Sequence, residues 1–365
     1  MRGVLPLQEA FLSQRGWDSC PAPLPPKVVT LAHGGGGLAM ARLLDEVIFR
    51  DIRSPELSQR HDSAALDFGG LLQKAGARVA FTTDTYVVSP LFFPGGDIGK
   101  LAVYGTVNDL AMAGGEPFAL SLALLLEEGF PLSELSRVTA SIQAACDHAD
   151  VRIVTGDTKV VPRGKGDGLY VTTSGVGLIR PHVRVAPDRI GERDCVLVSG
   201  DIGRHGIAVL GAREGLGFET PVESDCAPLA APMKALLDAG IDVHAARDLT
   251  RGGLAAALCE LSRAAEMTIT LEEDRVPIAK EVGAACELFG LDPLHVASEG
   301  RMVLFVAPQD EARARAILME YEQCSHAARI GTVERGAEPR VEMRTLLGGR
   351  RLIDLPSGEL LPRIC

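Results

Sequence analysis

The sequence predicts a chain of the α/β class built as two domains, with strands and helices mixed in the α+β manner. Three observations carry that prediction. The 365 residues are 46% hydrophobic, enough for two well-formed cores. Apolar strand-like runs alternate with stretches of helical spacing. That grammar stops at a proline-containing, charged segment, 181–192, and restarts at Cys195. Forty glycines beside only 4% aromatic residues suit an α/β enzyme with many backbone-lined turns.

In chain order, residues 28–32 read as a strand entering the glycine run 34–37, with a helix over 38–50. A strand follows at 78–83. The apolar helix 98–112 is stopped by Gly114-Gly115. Strand 118–126, helix 132–148, strand 151–155 and the long strand 169–179 complete the first half. The second half reads as strand 195–199, helices 205–212, 229–238 and 254–265, and strand 267–271. Helix 278–288, strand 302–306, helix 309–321 and strands 328–333 and 340–343 close it, and 352–355 anchors the last residues. Because strand runs are often separated by more than one element, a simple doubly wound sheet is not required. The boundaries that follow are a leader, 1–27, a first domain, 28–180, a second, 181–350, and a tail, 351–365.

The net charge of −11 argues against a nucleic-acid or anionic-membrane partner. No stretch approaches the length of a membrane span. Residues 1–26 lack a basic stretch followed by an apolar one, so they do not read as a secretory signal, and Pro21, Pro23, Pro25 and Pro26 suggest a flexible leader. The eight cysteines contain no C-x-x-C pair, and Cys146, Cys195, Cys259 and Cys286 lie in apolar runs as small core residues. A reducing cytoplasm is the expected compartment.

Several residues point to chemistry. The turn His33-Gly34-Gly35-Gly36-Gly37 lets backbone N–H groups approach a phosphate, although it matches neither common phosphate-loop pattern, and a tight turn explains it equally well. Asp62, Asp84, Asp109, Asp157 and Asp248 recur at turn-like positions without Cys/His clusters. Carboxylates alone favour a hard cation such as Mg²⁺, which usually arrives with phosphates; a helix cap or turn is the structural alternative for each. Asp109 lies mid-helix among apolar residues and needs a metal or a helix end to keep it there. Lys159, placed just after a strand, is suited to a phosphoryl oxygen or to pairing with an acid. Glu299 precedes an apolar strand, where burial would raise its pKa towards general-base use.

The last four residues, Pro362-Arg363-Ile364-Cys365, place a thiol on what reads as an extended arm. Fully stretched, the last nine residues reach roughly 30 Å. A thiolate is a strong nucleophile, and a movable one suggests a carrier.

Together these segments resemble the carbamoyl dehydratase (HypE) family of nickel–iron hydrogenase maturation. The matching stretches are LAHGGGG at 31–37, TDTYVVSPLFFPGGDIGKLAVYGTVNDL at 83–110, VTGDTKVVPRG at 154–164, DLTRGG at 248–253, SEG at 298–300 and the final PRIC. They leave only the leader uncovered. Gly35 stands where the family usually has Ser, and Ser298 and Arg301 where Asn and Lys are common. The resemblance implies an aminoimidazole ribonucleotide synthetase-like fold, with 28–180 as an ATP-binding and dimerisation domain. It implies ATP and Mg²⁺, with metal ligands from Asp62, Asp84, Asp109 and Asp248. The nucleotide contacts it implies are His33, Gly34, Gly35, Gly36, Gly37, Asp84, Asn108, Asp157 and Thr158, with Lys159 on phosphate charge. Cys365 becomes the carrier of a carbamoyl group and Glu299 the base that helps turn it into a thiocyanate. A homodimer, a carbamoyltransferase (HypF) as donor and an iron scaffold complex (HypC–HypD) as acceptor are the implied partners. Two other readings are weighed beside it. A kinase or synthetase acting on a free small molecule would be indifferent to the tail. A nucleotide-regulated scaffold would not turn over once per loaded thiol.

Overall fold

The computed structural model describes residues 27–34, 38–58, 66, 68–70, 74–215, 222–355, 361 and 363–365. The first half opens with short helical pieces, α1 (Leu38–Leu43), a π-helical turn (Leu44–Ile48), α2 (Phe49–Asp51) and α3 (Pro55–Ser58). Then come β1 (Arg78–Tyr86), a small ribbon of β2 (Phe92–Phe93) and β3 (Gly96–Asp97), α4 (Ile98–Met112), β4 (Gly115–Glu127), α5 (Leu132–Ala149), β5 (Arg152–Val161) and β6 (Leu169–Ile179). The four long strands form one sheet in the order β1-β6-β4-β5. Pairings are antiparallel except β4 with β5. Leu120, Leu122, Leu124 and Leu126 of β4 pack with Leu101 of α4 and Leu135 and Ile142 of α5. The opposite sheet face carries Val79, 47% exposed, and Phe81, 71% exposed. β1 and β6 therefore alternate apolar-in and open-out, as a sheet with one uncovered face does.

The second half holds β7 (Cys195–Val198), α6 (Arg204–Glu214), α7 (Ala230–Asp238), β8 (Val243–Asp248), α8 (Gly253–Ala265), β9 (Thr268–Glu272) and α9 (Lys280–Phe289). β10 (Met302–Val306), α10 (Glu311–Leu318), β11 (Ala328–Glu334), β12 (Arg340–Arg344) and β13 (Arg350–Ile353) complete it. Seven strands form one sheet, ordered β13-β12-β9-β11-β7-β10-β8. Its central strands are buried on both faces. Val303 and Phe305 of β10 enter a core with Leu254 and Leu258 of α8. Met302, Leu304 and Val306 enter another with Met233 of α7 and Leu318 of α10. The period of two along β10 thus serves two cores at once.

α4 joins the domains. Its Leu101 and Val107 belong to the first core, whereas Ala111 and Met112 belong to a core of the second domain. Among the described residues no helix is long and apolar enough to cross a membrane.

Two expectations are corrected at the strand level. Residues 28–32 do not form a strand: Val28 makes one bridge, to Pro131, and Leu31–Gly34 is a 3-10 turn. β5 does not end at Thr155 but runs to Val161, so Asp157, Thr158 and Lys159 lie within a strand. β5 is an edge strand, and its open side accepts polar residues that the sequence pattern reads as a loop.

Candidate active site

The chain's last residues lie against the end of β1. Arg363 O accepts the Ser89 N–H at 3.2 Å, and Cys365 O accepts the Val87 N–H at 3.1 Å. Ile364 is buried in the first domain's core, 4% exposed, with Leu361 packed against the same cluster. The tail read as an extended arm is therefore docked here, in its own chain. The Arg363 guanidinium pairs with Asp167.

The Cys365 thiol lies beside Glu299, and the two side chains act on each other's proton affinity. Glu299 lies just before β10, is 3% exposed, and its Oε1 has no hydrogen-bond partner. Burial pushes its carboxyl well above the usual range, and the charges of Asp248, Asp225 and Asp84 push further in the same direction. Burial likewise raises the Cys365 thiol, helped by Glu299, while Arg251 opposes. Only a glycine fits at position 300, where a Cβ would collide with Asp225 O.

Of the predicted metal ligands, Asp84 and Asp248 act on this carboxyl, and Asp109 acts in turn on Asp248. Asp84 stands on β1, Asp109 on α4, and Asp248 ends β8, paired in register with Met302. Asp109 is only half-buried and accepts the Thr82 hydroxyl at 2.7 Å, which gives its carboxylate a partner within the chain. Burial raises its pKa, and Asp84 adds to the effect. Asp248 is raised to about 7, by burial first and Asp109 next, with Arg247 opposing. Carboxylates that raise one another's proton affinity form a hard-oxygen donor set, and a divalent cation would relieve their repulsion. Among the described residues no three such side chains already converge as a ligand set. Asp62, the fourth, lies outside the described residues.

The remaining predicted residues divide into two groups. Asn108 is buried and serves as an interdomain clamp. Its Oδ1 accepts the Leu229 N–H at 2.7 Å, and its Nδ2 donates to Ala227 O at 3.1 Å and Glu299 O at 3.4 Å. His33, Gly34, Asp157, Thr158 and Lys159 gather at the other edge of the sheet. A Cβ on Gly34 would lie 2.9 Å from Val160 N, so the glycine turn begins against β5. Gly35, Gly36 and Gly37 lie outside the described residues. His33 Nδ1 accepts the Thr30 N–H at 2.9 Å, which leaves the ring proton on Nε2. Lys159 Nζ donates to Asp157 Oδ1 at 2.6 Å, and this pairing holds the exposed Asp157 carboxyl below its usual range. In the order β1-β6-β4-β5, this group and the carboxylate group stand at opposite edges.

Sequence reasoning missed Asp225, His205, Ser224 and Arg251. Asp225 Oδ1 accepts the Glu299 N–H at 3.1 Å, and its Oδ2 has no hydrogen-bond partner, with Arg301 Nε 3.7 Å away. His205 bonds the tail at Ile364 O. Only the acid in Ser224-Asp225-Cys226, buried in a segment without periodic pattern, could have drawn attention.

A relative from Rhodobacter capsulatus, named carbamoyl dehydratase HypE, is 47% identical over 337 residues, 92% of this chain and 98% of its own. This chain belongs to that family. The family models for AIR synthase related proteins agree, the N-terminal domain matching residues 60–179 and the C-terminal domain 191–344. Among solved structures, hydrogenase maturation protein HypE in complex with ATP superposes with a TM-score of 0.88 at 42% identity, covering 92% of this chain and 99% of that one. A HypE–HypF complex matches with a TM-score of 0.75 at 39% identity over 86% and 99%. The two-domain carbamoyl dehydratase fold thus accounts for both sheets described above.

Proposed function

We propose that this chain is an ATP-dependent dehydratase acting on an S-carbamoyl group carried by its own Cys365. The observation that carries the reading is the meeting of the Cys365 thiol with Glu299, in a member of the carbamoyl dehydratase family. The carbamoyl oxygen takes the γ-phosphoryl group of ATP, which converts a poor leaving group into phosphate. Loss of two N–H protons and of phosphate then leaves Cys365–S–C≡N, with ADP as the other product. The nitrile carbon becomes the cyanide ligand of hydrogenase iron.

Glu299 is assigned the proton transfers at the amide nitrogen, because it touches the sulfur that carries the amide. Burial and three neighbouring acids favour its protonated form. Mg²⁺, held by Asp84, Asp109 and Asp248, with Asp62 a further candidate ligand, would neutralise phosphate charge and ease the release of that proton. Asp157, Thr158, Lys159, His33 and the glycine turn are assigned to the nucleotide.

Those two groups stand at opposite edges of one chain's sheet, so we assign the complete site to a homodimer. The exposed face bearing Val79, Phe81 and Leu125 is the surface we assign to that pairing. HypF, found with HypE in the complex above, is the proposed carbamoyl donor, and HypC–HypD the proposed cyanide acceptor; the expected compartment is the cytoplasm. A Cys365→Ala chain tests the carrier role. If it still converts carbamoyl groups to thiocyanate, the tail has no part in the reaction.

A further inference from the structure

The docked tail is held at its backbone as well as by burial of Ile364. Arg363 O accepts from Ser89 N–H and, at 2.7 Å, from Arg213 Nη2. Cys365 O accepts from Val87 N–H. Ile364 O accepts from a side chain, His205 Nε2, at 2.7 Å. His205 lies in the first turn of α6 with no exposed surface and the Phe93 ring edge-on at 5.3 Å.

A carbonyl cannot donate, so Nε2 carries the proton. Burial holds the ring neutral, and Nδ1 therefore accepts from the Ser224 hydroxyl, 2.8 Å away. Ser224 Oγ in turn accepts the Cys226 N–H at 3.1 Å, which fixes its own direction. The next residue, Asp225, accepts the Glu299 N–H. One short segment, 224–226, thus orients the imidazole that grips the tail and also anchors the backbone of the acid that the tail's thiol meets.

We infer that His205 is a positioning residue for the dehydration, setting Cys365 Sγ against Glu299 through the Ile364 carbonyl, with Ser224 fixing its tautomer. The grip falls on main-chain atoms, so it serves a free thiol, a carbamoylated sulfur and a thiocyanate alike. The catalytic consequence rests on the dehydratase reading; the grip itself does not.

The test measures alkylation of Cys365 by iodoacetamide in the full-length protein, read by peptide mass, for wild type and the His205→Ala, His205→Gln and Ser224→Ala variants. Losing one buried hydrogen bond should speed alkylation about tenfold in His205→Ala. His205→Gln, whose amide N–H reaches where Nε2 stands, should restore most of the protection. Ser224→Ala should fall between. Water loss from carbamoylated protein should slow in His205→Ala with ATP affinity kept. Wild-type alkylation in His205→Ala, or equal rates in the Ala and Gln variants, would overturn the inference. If His205→Ala does not fold, Ser224→Ala decides, and an unchanged rate there would overturn it. Alkylation needs no carbamoyl chemistry, so a failed grip and a failed dehydratase reading give different results.

Discussion

The Cys365 thiol and the Glu299 carboxyl lie side by side in surroundings that favour the protonated form of both groups. A thiol held this way is sheltered rather than nucleophilic. On the proposed reading, loading should require an undocked tail and dehydration a docked one.

The thiol's behaviour with pH follows. Its docked pKa lies above that of a free cysteine, so docking is favoured below the free value and weakens as pH rises through it. Alkylation of Cys365 should be slow at neutral pH and climb more steeply than for a cysteine peptide above pH ~8.5. Ile364→Ala, which removes the tail's buried anchor at a cost of roughly 2 kcal/mol or more, should bring the profile back to that of the peptide. A pH–rate series on both proteins checks this.

Glu299→Gln should bind ATP normally and lose dehydration by at least about a hundredfold. It should also change stability with a definite sign. The folded pKa of Glu299 is raised, so its protonated form contributes stability that is lost as pH rises above the unfolded value. The glutamine variant lacks that loss, and its melting temperature should exceed wild type increasingly from pH 5 to 8, as calorimetry can show.

Asp248→Asn should act similarly over a narrower window. With the folded pKa near 7, wild type loses stability between the usual aspartate range and about pH 7. Without Mg²⁺ the variant should melt about 2 °C or more higher at pH 8. With Mg-ATP the order should reverse, because the cation stabilises only the chain that keeps its ligand. Melting curves with and without EDTA test both halves.

How much of this was legible in the sequence depended on burial. β10 reads directly because all five residues are apolar, and α4 because its apolar run is stopped by glycines. β5 was cut short because an edge strand carries Asp157 and Lys159 without penalty. β8 was missed, since Val243–Asp248 has no clean alternation once His244 and Arg247 intervene. In the site, Glu299 and the aspartates stood in recognisable motifs. His205 read as an ordinary helix residue, because its partners, Ser224 and Ile364, come from distant parts of the chain. The division of the predicted nucleotide residues between two sheet edges was equally hidden, because strand order is a long-range property.

The open sheet face gives a prediction about assembly. Phe81→Asp places a charge where the ring is exposed, so the monomer's fold should survive. Light scattering should show a dimer for wild type and a monomer for the variant, with dehydration lost because the two residue groups no longer meet. A dimeric, active variant would move the interface elsewhere.

The most direct test of the central claim is the intact mass of the protein, carbamoylated by its transferase, before and after Mg-ATP. The account predicts loss of one water, mapped to Cys365 and absent with a non-hydrolysable ATP analogue. ATP consumption with the carbamoyl group unchanged on Cys365, or with Cys365 never modified, would contradict it.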